Sequence, residues 1–382
     1  MNAIVSAGVA ALRQGQGLEA RRLFEQAIEE TSAGPAPWFL LAQACHQQGD
    51  HAAAEEALDR ALAEQPRNIG ALIMKGDCRS RMGDMRAAVS FHGVALSEAR
   101  TAGDIPPGLQ AELRRVQASS AAAQGGFAEQ LARHLEEAGI HPARQSARFR
   151  EALDILAGTK ELYLQQPSSF YFPGLPQIQF YERSDFPWLA EIEATAPAIR
   201  SELEEVLSGG AGFTPYVRRD PARPQSVNPL FEDPSWSACH LLHNGEATPF
   251  AAQCPNTMAA LGKAPMPRIA GRSPMALFSL LRPGTHIRPH HGLLNTRLIC
   301  HLPLIVPAGC RLRVGNAVRT WEEGEALIFD DSIEHEAWND GAGTRVVLLF
   351  EIWRPEITAD ERGALTAMFE AITRYQGVPQ EA

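Results

Sequence analysis

The run Arg297-Leu-Ile-Cys-His-Leu-Pro-Leu-Ile-Val306 decides how the second half of this 382-residue chain is interpreted. A short, nearly continuous apolar run bounded by Asn and Pro is typical of a buried strand. Four similar runs, separated by clusters of Pro, Gly, Asn and Asp, share this region: 275–281, 310–314, 326–329 and 345–353. This spacing predicts an antiparallel barrel or jelly roll, with a helix over 187–207 ahead of it.

Five histidines accompany these runs. Four of them, His286, His290, His291 and His301, lie on or beside two adjacent predicted strands, and His335 follows the acidic turn 330–334 at the start of a distant strand. Two neutral imidazoles with open positions suit Fe(II), whose oxygenase sites normally add a carboxylate two residues after the first histidine. Here that position is Gly292. The residues alone therefore leave both a metal pair and hydrogen-bonded core histidines open.

Arg345 is a second residue that indicates a binding site for a cosubstrate. It stands ten residues after His335, between Thr344 and the apolar run 346–350. An arginine on a strand, one turn beyond a metal histidine, is well placed to hold the distal carboxylate of a dicarboxylate cosubstrate in a bidentate fork. A surface ion pair is the alternative, and the apolar surroundings favour the first interpretation.

A series of ordered motifs runs through the same half. It comprises Phe172-Pro-Gly-Leu, Trp236-Ser, Pro283-Gly-Thr-His-Ile-Arg-Pro-His290, Asn295-Thr-Arg-Leu-Ile-Cys-His301-Leu, Trp321-Glu-Glu-Gly, Phe329-Asp-Asp-Ser-Ile-Glu-His335-Glu-Ala-Trp338 and Arg345. With this series the chain resembles the aspartyl/asparaginyl β-hydroxylase family over residues 165–357. The resemblance implies a double-stranded β-helix (jelly roll, cupin-like) with flanking helices. It also implies a dioxygenase that uses Fe(II), O2 and 2-oxoglutarate, with water in place of the carboxylate missing at Gly292.

The same resemblance assigns roles to individual residues. It implies His290 and His335 as iron ligands, Ser279, His301 and Arg345 as 2-oxoglutarate contacts, and Arg297 and Trp236 as substrate contacts. The catalytic set is His290, His335 and Arg345, while His286 and His291 surround the metal or face the substrate. One position departs from the family, which reads Arg-Leu-Arg where this chain has Arg297-Leu298-Ile299. Ile299 removes a charge-assisted hydrogen bond that a buried substrate carboxylate needs.

The first third of the chain repeats itself at an offset of 34 residues. Three columns coincide: Gly15, Gly49 and Gly83; Ala20, Ala54 and Ala88; Ala27, Ala61 and Ala95. Trp38, Leu41 and Pro66 stand where tetratricopeptide repeats place these residues. The segment resembles about three such repeats, an α-helical solenoid in which glycine permits the turn and alanine lets helices approach. Such repeats bind a peptide or partner protein, or serve as a structural or dimerisation arm.

The expected organisation is a multidomain α + β protein. Tetratricopeptide-like repeats occupy 1–102, additional helices and a linker 103–164, and the oxygenase domain with a C-terminal helix 165–382. Within the middle segment, 110–137 predicts a helix pair interrupted at Gly125-Gly126, and 147–156 predicts one further helix.

Composition excludes several classes of function. The net charge of −10 argues against nucleic acid as a partner, and six cysteines without any C-x-x-C pair argue against a zinc ribbon. No apolar run approaches the ~20 residues that span a bilayer, and the N-terminus is no secretory signal. These features predict a cytoplasmic protein without a membrane span.

Three functional hypotheses follow. The first is a peptide-aspartate β-dioxygenase-like enzyme that hydroxylates the β-carbon of Asp or Asn in a peptide or protein that the repeats help to recognise. The second keeps the chemistry but places it on a small-molecule or lipid-linked substrate. The third is a catalytically silent scaffold that acts through the repeats.

Overall fold

The structure is a computed structural model that describes residues 3–30, 35–210, 212–218 and 229–376. It divides into two compact units, Met1–Thr159 and Lys160–Ala382. The first unit is helical, and the second is built on antiparallel sheets. The predicted fold class, helical repeats followed by a jelly roll with flanking helices, is confirmed.

Eight helices are described in the first unit: α1 (Ala3–Arg13), α2 (Gly17–Glu29), α3 (Trp38–Gln47), α4 (His51–Glu64), α5 (Ile69–Arg81), α6 (Met85–Thr101), α7 (Pro107–Glu137) and α8 (Ala147–Leu156). Helices α1 to α6 pack in successive pairs. The turn inside each pair contains a glycine with positive φ, at Gly15, Gly49 and Gly83. Asp50 and Asp84 then cap α4 and α6 by accepting from backbone N–H groups. The 34-residue period is therefore the period of one helix pair.

One prediction for this unit is wrong. Residues 110–137 belong to a single helix, α7, and not to a pair divided at Gly125-Gly126. Glycine in a helix interior costs only about 1 kcal/mol relative to alanine and breaks no backbone hydrogen bond. Proline would be needed for a sharp interruption. The predicted helix 147–156 is present as α8.

The second unit carries twelve described strands: β1 (Phe180–Tyr181), β2 (Thr214–Pro215), β3 (Trp236–His243), β4 (Glu246–Ala247), β5 (Ala276–Leu281), β6 (Thr285–His290), β7 (Arg297–Ile305), β8 (Cys310–Val314), β9 (Ala317–Arg319), β10 (Leu327–Phe329), β11 (His335–Asn339) and β12 (Arg345–Trp353). The larger sheet has the order β1-β10-β7-β12-β5-β3-β2, with β4 beside β3. The smaller sheet has the order β6-β11-β8-β9. One apolar core contains residues of both sheets, including Ile299 and Val347 from the larger and Leu312 and Ala337 from the smaller. The two sheets therefore pack as a sandwich.

Four helices accompany the sheets: α9 (Leu189–Glu193), α10 (Ala196–Ser208), α11 (Pro255–Leu261) and α12 (Ala359–Gln376). A second core joins Ile192 and Leu203 of these helices to Phe278 and Leu348 of the larger sheet. Helices α9 and α10 replace the single helix predicted over 187–207. Pro197 lies in the first turn of α10, where its missing N–H costs no helical hydrogen bond, and so marks the start of the second helix.

The strand arrangement corrects one further expectation. Strands β6 and β7, predicted to be adjacent, follow each other in sequence but belong to opposite sheets. The strand that begins at His335, although distant from His290 in the chain, lies beside it, because β6 and β11 pair antiparallel with these two residues in register. None of the described helices has the length and apolarity needed to cross a membrane.

Candidate active site

A cavity of about 510 Å³ lies between the two sheets. Its lining includes eight of the residues singled out from the sequence: Trp236, Ser279, His290, His291, Arg297, His301, His335 and Arg345. Gly292, Ile299 and Asp331 line it as well. The fold thus brings all seven residues with an assigned binding or catalytic role to one place.

His290 ends β6 and His335 begins β11, and their ring centroids are 4.1 Å apart. His290 Nδ1 donates to the carbonyl of Arg288 at 2.8 Å, and His335 Nδ1 donates to the carbonyl of Ile333 at 3.1 Å. A carbonyl accepts only from N–H, so each neutral ring keeps its lone pair on Nε2. Burial lowers the pKa of both histidines, that of His335 well below its ordinary value. Both rings therefore stay neutral, which is the form that binds a metal.

Gly292 has no room for a side chain. A Cβ at this position would lie 2.1 Å from Asp331 Oδ2, and the Gly292 N–H donates to the Asp331 carbonyl at 2.6 Å. The carboxylate of Asp331 thus fills the space that a side chain at 292 would need. Burial raises the pKa of Asp331 to about 7, although Arg297, with Nη2 at 3.8 Å from the carboxylate, opposes the shift.

Asp331 is a site residue that sequence reasoning missed. It stands inside a quoted motif, but nothing in the pattern of residues shows that its side chain returns to Gly292. Only the hydrogen bond and the close approach between two loops establish that contact. An acidic pair directly before the turn into His335 was the available signal.

Arg345 is almost completely buried, with 1% of its surface exposed. Within the part of the chain that the structure describes, its Nε and Nη1 atoms have no hydrogen-bond partner. The guanidinium lies over the ring of Trp321, at 4.8 Å from the centroid. Burial lowers the pKa of this arginine to about 10, which leaves it cationic at neutral pH. A buried cation with open donors is a binding site for an anion that fits the cavity.

Ser279 and His301 lie on the strands that flank Arg345. Ser279 pairs in register with Val347 of β12, and His301 pairs with Leu349. Both side chains are buried, and Nδ1 of His301 has no hydrogen-bond partner among the described residues. Burial, and then the charge of Arg345, lower the pKa of His301 well below its ordinary value. These groups add neutral polar contacts beside the guanidinium.

Arg297 is held by carboxylates of the protein itself. Its Nη1 donates to Glu351, a residue without exposed surface, and Nη2 lies 3.8 Å from Asp331. Glu351 also accepts from the backbone N–H of Met275 at 3.0 Å. Ile299, two residues along the same strand, presents an apolar side chain to the cavity. Among the described residues, this strand therefore offers no second cation next to Arg297, while Arg288 of β6 also lines the cavity.

The wall near His290 is aromatic. Trp236 stacks on Tyr216 with centroids 4.3 Å apart, and its ring lies 6.3 Å from that of His290. Val217, Leu230, Phe231, Leu293 and Leu349 extend this apolar lining. Segments 216–217 and 229–231 belong to no quoted motif, so their role could not be predicted.

The remaining two histidines, His291 and His286, lie in different surroundings. His291 lines the cavity. His286 Nε2 bonds Glu336 at 2.8 Å, and its ring stacks on Trp338 at 4.9 Å between centroids. A residue engaged in this way contributes to the packing of the smaller sheet.

Comparison with known proteins adds the following findings. The family Aspartyl/Asparaginyl beta-hydroxylase matches residues 193–355, and the tetratricopeptide repeat family matches residues 5–69. The chain is 39% identical over 225 residues to the ornithine lipid ester-linked acyl 2-hydroxylase of Rhizobium tropici, a match that covers 57% of this chain and 74% of that protein. It is 40% identical over 148 residues to human aspartyl/asparaginyl beta-hydroxylase, covering 38% of this chain and 19% of that protein.

Two solved structures are similar to separate parts of the chain. The Sgt2 TPR domain from Aspergillus fumigatus is 22% identical with a TM-score of 0.28, over 32% of this chain and 81% of that one. The Schizosaccharomyces pombe Cnp3 cupin domain is 8% identical with a TM-score of 0.23, over 38% of this chain and 74% of that one.

The jelly-roll fold, the paired histidines in its cavity and these relatives define the class of protein, which is a hydroxylase. More particularly, the chain belongs to the aspartyl/asparaginyl β-hydroxylase family and carries tetratricopeptide repeats ahead of the hydroxylase unit. Its relatives include enzymes named for a lipid and for a protein side chain.

Proposed function

We propose that the chain is a dioxygenase that depends on Fe(II) and 2-oxoglutarate and hydroxylates an aliphatic carbon. The observation that carries this proposal is Arg345, a buried guanidinium with two open donor atoms in the same cavity as a neutral histidine pair. A dicarboxylate cosubstrate satisfies both features, because one end can reach a metal while the other neutralises the arginine.

The residues present fit both groups. His290 and His335 would hold Fe(II) through Nε2, since their Nδ1 atoms are engaged by backbone carbonyls. Arg345 and Ser279 would hold the distal carboxylate of 2-oxoglutarate, with His301 beside them. Iron, O2 and 2-oxoglutarate together supply the oxidising power to insert oxygen into a C–H bond, with succinate and CO2 as coproducts.

The protein's own contribution is binding, orientation and the exclusion of water. The carbonyls of Arg288 and Ile333 fix the histidine rings at the ends of two paired strands. The stacked pair of Trp236 and Tyr216 forms a rigid wall close to His290, against which a substrate chain is positioned. The apolar lining keeps bulk water away from the reacting carbon.

An acyl chain of a lipid-linked or other small molecule is the substrate class that this wall supports best. Arg297 is already paired with Glu351, and Ile299 replaces the second arginine of the family pattern. At Ile299 a substrate carboxylate would therefore meet an aliphatic side chain, although Arg288 also lines the cavity. The similarity to a lipid acyl 2-hydroxylase over 225 residues supports the same choice.

The β-carbon of Asp or Asn in a peptide is the second candidate. The presence of tetratricopeptide repeats in the same chain favours it, because such repeats commonly bind polypeptides.

The experiment measures succinate formation from 2-oxoglutarate by the full chain with Fe(II) and O2. One arm adds a lipid with ester-linked acyl chains in detergent, and the other adds Asp- and Asn-containing peptides. We expect stimulated turnover and a mass gain of one oxygen atom in the lipid. Oxygen gained by the peptide alone would move the assignment to the second candidate. If the iron-loaded protein shows no turnover in either arm, the hypothesis of a catalytically silent scaffold would replace the proposal.

A further inference from the structure

The repeat unit contains a cluster of potential metal ligands of its own. His46 lies in the last turn of α3, His51 is the first residue of α4, and Cys78 belongs to α5. One candidate ligand atom from each residue lies within 4.8 Å of the other two. The Cys78 Sγ is 4.0 Å from His46 Nδ1, and the two imidazole centroids are 5.3 Å apart. Three separate helices therefore direct soft ligands to one point.

The polar atoms of this cluster are poorly satisfied by the protein. His51 Nδ1 is buried and, among the described residues, has no hydrogen-bond partner. Cys78 has no exposed surface, and its Sγ makes a long 4.0 Å approach to His46 Nδ1. Buried polar groups in a folded protein normally find partners, so an open nitrogen beside a thiol and a second imidazole points to a missing ligand.

Charges of both signs surround the cluster. The carboxylates of Glu55 and Asp77 favour a cation beside Cys78, and Arg81 and Lys75 oppose it. Binding of the metal would release the thiol proton.

We propose that His46, His51 and Cys78 form a site for a divalent metal of the zinc class, with a solvent molecule as the fourth ligand. A thiolate and two imidazoles are a ligand set that Zn(II) accepts, and a tetrahedral arrangement needs only one further donor. The metal would join the end of α3 and the start of α4 to α5. It would therefore clamp two consecutive helix pairs and stabilise the repeat unit.

The test is a Co(II) titration of the metal-free full chain. Thiolate ligation gives Co(II) an intense near-ultraviolet charge-transfer absorption, which imidazole ligands do not give. None of the described residues that line the His290 and His335 cavity is a cysteine, so Co(II) bound there does not produce this band. We expect the band in the wild-type chain and its loss in Cys78→Ala.

Cys45→Ala is the matched control, because Cys45 is also buried in the repeat unit but stands outside the cluster. It should keep the band. His51→Gln provides a second variant at a half-buried position, for the case that Cys78→Ala does not fold, and should weaken Co(II) binding at least tenfold. Zn(II) should raise the Tm of the repeat unit in the wild type and in Cys45→Ala, and this rise should be lost in the two cluster variants.

Two results would overturn the proposal. The first is a wild-type chain without a charge-transfer band at saturating Co(II). The second is a band that survives unchanged in His51→Gln and in folded Cys78→Ala. Neither result depends on turnover of 2-oxoglutarate, so the cluster and the proposed oxygenase function are judged separately.

Discussion

At the scale of single residues, Arg345 is an example of a buried charged side chain that indicates a bound ligand. Among the described residues, the Arg345 guanidinium has 1% of its surface exposed and two nitrogens without a partner, which is unfavourable unless an anion joins it. Arg354, also buried in the same unit, donates instead to Asp330, at 2.7 Å, and to the carbonyl of Pro176. The contrast distinguishes an arginine that stabilises the fold from one that we propose to bind a ligand.

Arg345→Gln is therefore expected to weaken 2-oxoglutarate binding. The loss of charge-assisted hydrogen bonds to a carboxylate costs roughly 1.5–3 kcal/mol, which corresponds to about a 10- to 100-fold rise in Kd. Calorimetry with the Fe(II)- or Mn(II)-loaded protein measures it directly. The free energy of unfolding should fall little or even rise, since an unpaired buried cation is removed. An unchanged Kd for 2-oxoglutarate would refute the role of Arg345.

His335→Ala is expected to abolish succinate formation and to reduce iron binding to the background. The variant removes one of only two protein ligands proposed for the metal. His243→Ala is the matched control, because His243 is an exposed histidine at the end of β3 in the same unit. It should retain both properties. Succinate formation near the wild-type rate in His335→Ala would contradict the ligand assignment.

The site could be predicted at this scale only where a residue type and its neighbours in sequence carry the chemistry. His290, His335 and Arg345 stand in local motifs next to strands, and the structure places all three around one cavity. Asp331 and the apolar wall formed by Tyr216 and Phe231 could not be predicted. Their positions depend on which loops meet in space, and no spacing within the sequence expresses that.

At the scale of elements, helix α11 depends on a carboxylate from another helix. Glu202 of α10 accepts from the backbone N–H groups of Asn256 and Thr257 at 2.7 and 2.9 Å, and from both of their side chains at 2.8 and 2.6 Å. Glu202 is buried, with 7% exposure. One side chain thus satisfies the donors at the start of α11 and joins it to α10.

Glu202→Ala should lower the free energy of unfolding by about 2–4 kcal/mol, because four donors lose their acceptor in a buried position. Chemical denaturation of the folded chain measures the change. Glu204→Ala is the control on the same helix. Glu204 is exposed and, within the described part of the chain, pairs with Arg200 at the surface, so its removal should change stability by less than about 0.5 kcal/mol. Equal effects of the two variants would contradict the capping role.

The same carboxylate predicts a pH dependence. Burial raises the pKa of Glu202, but the hydrogen bonds from Thr257 and Asn256 outweigh it and set the pKa below the model-peptide value of 4.5. A carboxyl whose pKa is lower in the folded state contributes stability above its unfolded pKa and loses it as the pH falls through the folded value. The stability difference between the wild type and Glu202→Ala should therefore be full above pH 4.5 and shrink below it. A stability difference between the two proteins that increases as the pH falls would contradict this prediction.

Elements were predictable where the signal was local. The strands 297–305, 310–314 and 345–353 follow from apolar runs, and the helix pairs follow from a glycine at every thirty-fourth position. The assignment of β6 and β7 to opposite sheets was not predictable, because a chain that turns back and a chain that crosses a sandwich have similar loops. Helix α7 continues through Gly125-Gly126 because glycine destabilises a helix interior only slightly, and no sequence motif indicates that outcome.

At the scale of the whole molecule, the chain combines two units with separate interiors. The described residues that line the cavity around His290 and His335 all lie between Ser168 and Leu349, inside the second unit. The candidate metal cluster lies inside the first. Each unit therefore contains the full set of residues for the property proposed for it.

A chain reduced to residues 160–382 should bind 2-oxoglutarate with an affinity within about threefold of that of the full chain. Residues distant from the site should change the binding free energy by less than about 0.7 kcal/mol. Calorimetry on the metal-loaded fragment and on the full chain measures it. Folding of the fragment is checked by its cooperative thermal unfolding. A folded fragment that no longer binds 2-oxoglutarate would show that the repeats complete the site.

The contact between Gly292 and Asp331 affects which amino-acid changes this site can accept during evolution. A change of Gly292 to an acidic residue requires the Asp331 carboxyl to move, because its Oδ2 lies 2.1 Å from the position of the new Cβ. The effect of a carboxylate at position 292 therefore depends on the residue at position 331, and the two positions are expected to be epistatic. A lineage with this arrangement reaches a two-histidine, one-carboxylate centre most readily when both positions change together.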